Sequence, residues 1–146
     1  MGAQVIRQYV YGLVAVSPKD GRHSSLIMPW VDAETMSVFL AHTAQEFQGD
    51  HCLMFLDGAS WHIARDLRIP SSMRLRFLPP YSPELNPVEH IWDHIRENYF
   101  GNKTFSTLDA VEDRLCLALK TLETQPEILQ PLTSFPWFNA LSLMYN

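Results

Sequence analysis

The sequence predicts an α/β fold, with short strands flanked by helices, and three observations carry that prediction. A Val-, Tyr- and Ile-rich run from Val5 to Val16 is followed by turn chemistry and a second apolar run. The stretch Cys52 to Leu56 is uninterruptedly apolar and ends in Asp57-Gly58. Several longer segments repeat apolar residues at three-and-four spacing. With 146 residues and 47% apolar side chains, the chain can bury one core, so a single domain over residues 1–146 is expected.

The elements follow in order. Ser17-Pro18-Lys19-Asp20-Gly21 supplies turn residues between the first run and Ser25 to Met28, which reads as a β-hairpin. Asp32 can cap a helix that runs to about Gln48, because Met36, Phe39, Leu40, Thr43 and Phe47 share one face and Gly49 ends it. Cys52 to Leu56 has the pattern of a strand buried on both faces, with Asp57 at its carboxyl end, where open α/β sheets form a crevice. A short helix over Ser60 to Leu67 is broken by Pro70-Ser71-Ser72, and Met73 to Phe77 alternates apolar and basic residues as a last, edge-like strand. Asn86 offers an N-cap, Pro87 the first helical position and Glu89 a first-turn carboxylate on a helix reaching about Tyr99 and stopping at Gly101. Ser106 and Asp109 resemble a capping box for a helix to Glu123, with Leu108, Val111, Leu115, Ala118, Leu119 and Leu122 on its apolar face. A Pro-interrupted helical segment from Pro126 to Leu143 completes the chain, which has no internal repeat or low-complexity tract.

The charge balance excludes some functions. Eleven basic residues against sixteen acidic ones, net charge −5, do not make a self-sufficient DNA-binding module, since duplex affinity comes largely from neutralised phosphates. Cys52 and Cys116 have neither zinc nor disulfide-framework spacing and suit a reducing cytoplasm. No basic leader with an apolar segment begins the sequence and no run of eighteen apolar residues occurs, so a cytoplasmic protein without membrane contact is expected.

Two segments hold the residues suited to chemistry: Leu53-Met54-Phe55-Leu56-Asp57-Gly58-Ala59-Ser60-Trp61-His62, and Leu78-Pro79-Pro80-Tyr81-Ser82-Pro83-Glu84-Leu85-Asn86-Pro87-Val88-Glu89-His90-Ile91-Trp92. Between Asp57 and Glu89 lie 31 residues. A strand-end Asp and a first-turn Glu can converge on hard divalent cations, which take oxygen ligands. Read alone, Asp57 before Gly58 is equally a turn residue, Glu89 a first-turn acid and Glu84 a competing ligand. His90 and His94 lack the HExxH order of a zinc helix and read as a partly exposed helix face.

The second segment resembles a signature of insertion-sequence and Tc/mariner transposases of the DDE superfamily, a Pro-Tyr-Ser-Pro-acid-Leu-Asn-Pro-hydrophobe-Glu string before a Trp-containing helix. The first segment is similar to that family's strand ending in Asp-Asn-Ala, with Gly58 where Asn is usual. The interval between the two acids is a little shorter than the family's.

The resemblance implies an RNase H-like mixed sheet flanked by helices. It implies an acidic triad that binds two Mg²⁺ or Mn²⁺ ions to cleave DNA and join strands, with Asp57 as its second acid and Glu89 as its third. His62, five residues after Asp57, is a candidate to reach the crevice, and Tyr81 to line a DNA groove. Arg65, Arg68, Arg74 and Arg76 are candidates to contact phosphates. Transposon-end DNA and a homodimer are the implied partners, with association at the bacterial nucleoid when DNA is bound.

The family's first Asp, on a central strand ahead of the hairpin, has no counterpart here, because only eight residues precede Tyr9 and none is acidic. Lacking that strand, the sheet is expected to expose the edges of the strands near Val10 and Leu56, to be filled by dimerisation or rearrangement. The chain alone is then expected to hold metal weakly and be inactive in isolation. The alternatives are a catalytically dead transposase remnant that serves as a dimerisation or interaction module, and an unrelated metal-dependent hydrolase of a small phosphorylated substrate.

Overall fold

The computed structural model describes residues 11–56, 66–80 and 82–136. Ser17 to Arg22 closes a hairpin between β1 (Tyr11–Val16) and β2 (His23–Met28), which pair antiparallel with Leu13 opposite Leu26. The Ser17 amide donates to the Arg22 carbonyl at 2.8 Å, and Gly21, at φ +76°, takes the left-handed conformation this reversal requires. Helix α1 (Ala33–Glu46) follows the expected cap: the Asp32 carboxylate accepts from the Thr35 amide at 2.8 Å, while the Asp32 amide donates back to Thr35 Oγ1 at 2.9 Å.

Strands β3 (Cys52–Leu56) and β4 (Met73–Phe77) pair in parallel, Leu56 opposite Phe77. The described strands do not join into one continuous sheet. Among the described residues the strands make two separate two-stranded sheets, because none of them runs between β1 and β3 to join the antiparallel pair to the parallel one. The expectation that β3 is buried on both faces is also corrected. Its Cys52, Met54 and Leu56 pack with Met73 and Leu75 over α1, whereas Leu53, on the opposite side, is 42% exposed.

Beyond β4 come a 3-10 turn (Pro83–Leu85), α2 (Val88–Ile95), a π-helical turn (Arg96–Phe100), α3 (Leu108–Glu123) and α4 (Pro126–Thr133), which contains Pro131. The cap of α3 is Thr107, whose hydroxyl accepts from the Ala110 amide at 3.1 Å, one residue later than the Ser106 box expected. The proposed helix over Ser60 to Leu67 falls mostly outside the described residues, as do Val5 to Val10 and the end of the Pro126 to Leu143 segment.

Two cores sandwich the hairpin. Leu13, Ala15 and Leu26 pack on α1 around Met36, Phe39 and Leu40, the same residues that receive β3 and β4. Val14, Val16 and Ile27, whose side chains point the other way, pack on Ile91, Leu115, Leu119 and Leu129 of α2, α3 and α4. Helix α1 is thus a common floor beneath both sheets. No helix among the described residues is long and apolar enough to cross a membrane.

Candidate active site

A cleft of about 830 Å³ opens between the two sheets. It is lined by β1 from Gly12 to Val16, by β3 from Cys52 to Leu56, by Met36, Phe39 and Thr43 of α1, and by the start of α2. Because β3 and β4 are parallel, their carboxyl ends lie together, and the chain leaves β4 there to enter α2. Open parallel sheets bind ligands at such an end.

Asn86 and Pro87 set the start of α2. Asn86 Oδ1 accepts from the Val88 amide at 3.1 Å, and the Asn86 carbonyl accepts from the Glu89 amide at 3.1 Å. Pro87, at φ −64°, is itself the N-cap and Val88 the first helical residue, one position later than the expected Asn86 cap. Glu89 is therefore fixed in the first turn, exposed, and on the wall of the cleft that also holds Leu56. Three residues on, Trp92 lines the same cleft and closes over the backbone of β1 at Gly12, where a Cβ would come within 2.6 Å of the indole. Gly12, Asn86 and Trp92 shape this wall; the signature segment contains Asn86 and Trp92, yet nothing in the sequence alone marked Gly12 as part of a site.

The expected partners of Glu89 separate into two groups. Asp57, His62, Tyr81 and Arg65 lie outside the described residues. Asp57 directly follows Leu56, the last residue of β3. Arg74 and Arg76 are exposed on the side of β4 opposite Met73 and Leu75, which pack into the core, and neither lines the cleft. Arg76 instead donates to the Leu75 carbonyl at 2.8 Å. The described structure does not bring these arginines together with Glu89. Arg68 is exposed, and its backbone amide donates to Ser37 Oγ at 2.9 Å.

The histidines of α2 serve structure. His90 Nδ1 lies 2.9 Å from the Leu132 carbonyl, its ring edge-on to Phe135 at 4.9 Å, which ties α2 to α4. The His94 carbonyl accepts from the Asn98 amide group at 2.9 Å. Both cysteines are free and half-buried, and burial pushes the Cys52 thiol up from its ordinary range. Among the described residues no three His, Cys, Asp or Glu side chains come together to hold a metal. Glu89 is the described member of the expected carboxylate pair, and its oxygens are the donor type a hard dication takes.

At the far end of the cleft, Arg22 donates to Asp20 at 2.9 Å and to Asp50 at 3.1 Å, with its guanidinium 4.7 Å from the Phe47 ring centre. Burial raises the Asp20 carboxyl, but hydrogen bonds from the Arg22 amide and guanidinium outweigh it and hold the group below its ordinary value. These carboxylates are engaged by Arg22, and the bridge ties the hairpin tip to the segment leading into β3.

Residues 5–112 match the family model described as DDE superfamily endonuclease. The chain is also 39% identical, over 119 residues, to the "Uncharacterized protein y4pE/y4sA" of Sinorhizobium fredii (strain NBRC 101917 / NGR234), a match that covers 81% of this chain and 87% of that protein. With the first-turn Glu89 opening on the cleft at the carboxyl end of β3, and both Asp57 and Glu89 inside the matched region, this chain belongs to the DDE superfamily endonucleases.

Proposed function

We propose that this chain is the carboxyl-terminal part of a Tc/mariner-like DDE transposase, a single domain of divalent-metal-dependent DNA cleavage and strand transfer that is inactive in isolation. The observation that carries the reading is the shared cleft: Glu89 at the start of α2 and the carboxyl end of β3, which leads directly to Asp57, open on one space. An antiparallel pair, β1–β2, and a parallel pair, β3–β4, flanked by helices support reading the domain as an RNase H-like mixed sheet.

Asp57 and Glu89 would hold Mg²⁺ or Mn²⁺, two ions in a complete site, and bound metal would supply an activated water and charge neutralisation at the phosphate. The part of the chain's own residues is to position and orient. Asn86 and Pro87 fix Glu89, while Trp92 sets the distance between α2 and β1. His62 and Tyr81 contact the DNA beside the site. Arg74 and Arg76 would reach the phosphate backbone from the outer side of β4, extending the contact beyond the cleft. The partners are transposon-end DNA and a second copy of the chain, one copy at each end. The place of action is the bacterial cytoplasm, at the nucleoid when DNA is bound.

A second reading, a catalytically dead remnant that serves as a dimerisation or interaction module, is favoured by the open cleft between β1 and β3. Fluorescence anisotropy of a labelled duplex bearing a transposon end separates the two. The transposase reading expects weak binding that Mn²⁺ strengthens, with the Mn²⁺ effect lost in Glu89→Ala. Binding indifferent to Mn²⁺ contradicts it.

A further inference from the structure

We propose that His90 is a positioning residue: by gripping the end of α4 it fixes the turn of α2 that carries Glu89. The inference rests on the reading of Glu89 as a metal-binding carboxylate and names the part of the fold that holds this carboxylate in place.

Helix α2 needs such a hold. It is eight residues long, and its N-cap, Pro87, offers no side-chain bond to the first amides. The first turn closes on the tighter three-residue bonds, from the Glu89 amide to the Asn86 carbonyl and from the His90 amide to the Pro87 carbonyl, each at 3.1 Å. Such bonds have poorer geometry, and helix ends closed by them fray. The buried anchors of the helix, Ile91 and Ile95, come later in the chain.

Successive helical residues are turned by about 100°, so Glu89, His90, Ile91 and Trp92 leave the helix in different directions. Ile91 enters the core, and Trp92 crosses to β1 at Gly12. His90 turns to α4, where its Nδ1 lies 2.9 Å from the Leu132 carbonyl and its ring meets Phe135 edge-on at 4.9 Å. A carbonyl oxygen only accepts, so Nδ1 carries the proton of that bond. Of the three contacts, the one made by His90 is nearest to Glu89 in the chain, and it holds the turn at the end that would otherwise fray.

The far side of the grip is firm. Leu129 and Thr133 of α4 are fully buried, and Thr133 Oγ1 donates to the Leu129 carbonyl at 2.8 Å. Thr133 and Ser134 lie between the two residues that His90 grips, and Ser134 lines the same cleft as Glu89. His90 itself does not line the cleft, so it acts on the site through Glu89. Helix α4 lies beyond residue 112, where the family match ends, so the hold on Glu89 comes from outside the matched region.

Amide hydrogen exchange by NMR and Mn²⁺ titration by calorimetry, both on the full chain, test this. His90→Leu removes the bond and the ring contact, His90→Asn places an amide nitrogen where Nδ1 stood, and Phe135→Leu loosens the grip from the side of α4. Without metal, the Val88 and Glu89 amides should exchange roughly tenfold faster in His90→Leu, the loss expected of one hydrogen bond and one ring contact. The Leu119 and Leu122 amides of α3 should be unchanged, His90→Asn should stay near the parent, and Phe135→Leu should fall between. Mn²⁺ affinity should drop in His90→Leu and return in His90→Asn. Should His90→Leu unfold, Phe135→Leu decides by the same two readouts. Three results overturn the proposal: first-turn amides that exchange as in the parent, acceleration that extends equally to Leu119 and Leu122, or Mn²⁺ affinity that His90→Leu leaves intact. A parent that binds no Mn²⁺ overturns the metal reading of Glu89 alone, and the exchange rates then decide whether His90 holds the turn.

Discussion

Substituting Gly12 tests the contact that sets the wall of the cleft. A Cβ at this position would lie 2.6 Å from the tip of the Trp92 ring and 3.4 Å from Leu115 Cδ2. Trp92 cannot rotate freely, because it packs against the core of Ile91, Ile95 and Leu115. Gly12→Ala therefore forces α2 or the indole outward. Overpacking of this kind costs about 1–3 kcal/mol. Near this chain length 1 kcal/mol moves the melting temperature by roughly 3 °C, so a loss of about 2 kcal/mol lowers Tm by roughly 6 °C. Urea unfolding of the parent, Gly12→Ala, Trp92→Phe and the double variant forms the assay. The phenyl ring lacks the atom that clashes, so the double variant should be more stable than the sum of the single costs by about 1 kcal/mol or more. Since Glu89 lies one turn before Trp92, Gly12→Ala should also weaken Mn²⁺ binding. A Gly12→Ala cost below about 0.5 kcal/mol, or one unchanged in the Trp92→Phe background, refutes the reasoning.

Other perturbations probe the frame around the site. Leu40 is fully buried beneath both sheets, so Leu40→Ala should cost about 2–5 kcal/mol, read as a fall in the urea midpoint. Thr107→Ala removes the cap of α3 and should cost about 1 kcal/mol in the same assay, with Ser106→Ala near neutral. His23 is buried, and among the described residues neither ring nitrogen has a hydrogen bond of good geometry, the Leu119 backbone being its nearest polar neighbour. Burial holds its pKa below the ordinary value, while Glu123, the Leu119 backbone and Glu46 pull the other way. A depressed histidine pKa means that protonation opposes folding, so stability is full above about pH 6.5 and declines as pH falls below it. His23→Leu should flatten that decline in urea titrations between neutral and mildly acidic pH, and an unchanged slope would exclude His23 as its source.

Much of this architecture was legible because local chemistry and packing agree. Asp32, Thr35 and the Met36, Phe39, Leu40 and Thr43 face specify α1 completely, since capping and amphipathic period point to one answer. Glu89 was legible as a first-turn acid because Asn86 and Pro87 leave the helix little choice of start. Other features depend on partners distant in sequence. The half-open face of β3 could not be read from Cys52 to Leu56, because an apolar run looks the same with one face covered or two. The division into two sheets depends on what lies between β1 and β3. The π-helical turn over Arg96–Phe100 has no sequence marker, and Ser106 and Thr107 are both good caps, so the choice between them falls to tertiary packing. Alternation at Met73 to Phe77 put Arg74 and Arg76 on one side, but not on which side of the cleft wall they would stand.

Mn²⁺ binding by calorimetry, comparing the parent chain with Asp57→Ala and Glu89→Ala, tests the central claim most directly. The account predicts weak binding in the parent that each substitution abolishes, as expected of a dication held by two carboxylates at one end of the cleft. Binding that survives both substitutions, or none in the parent at any Mn²⁺ concentration, would contradict it.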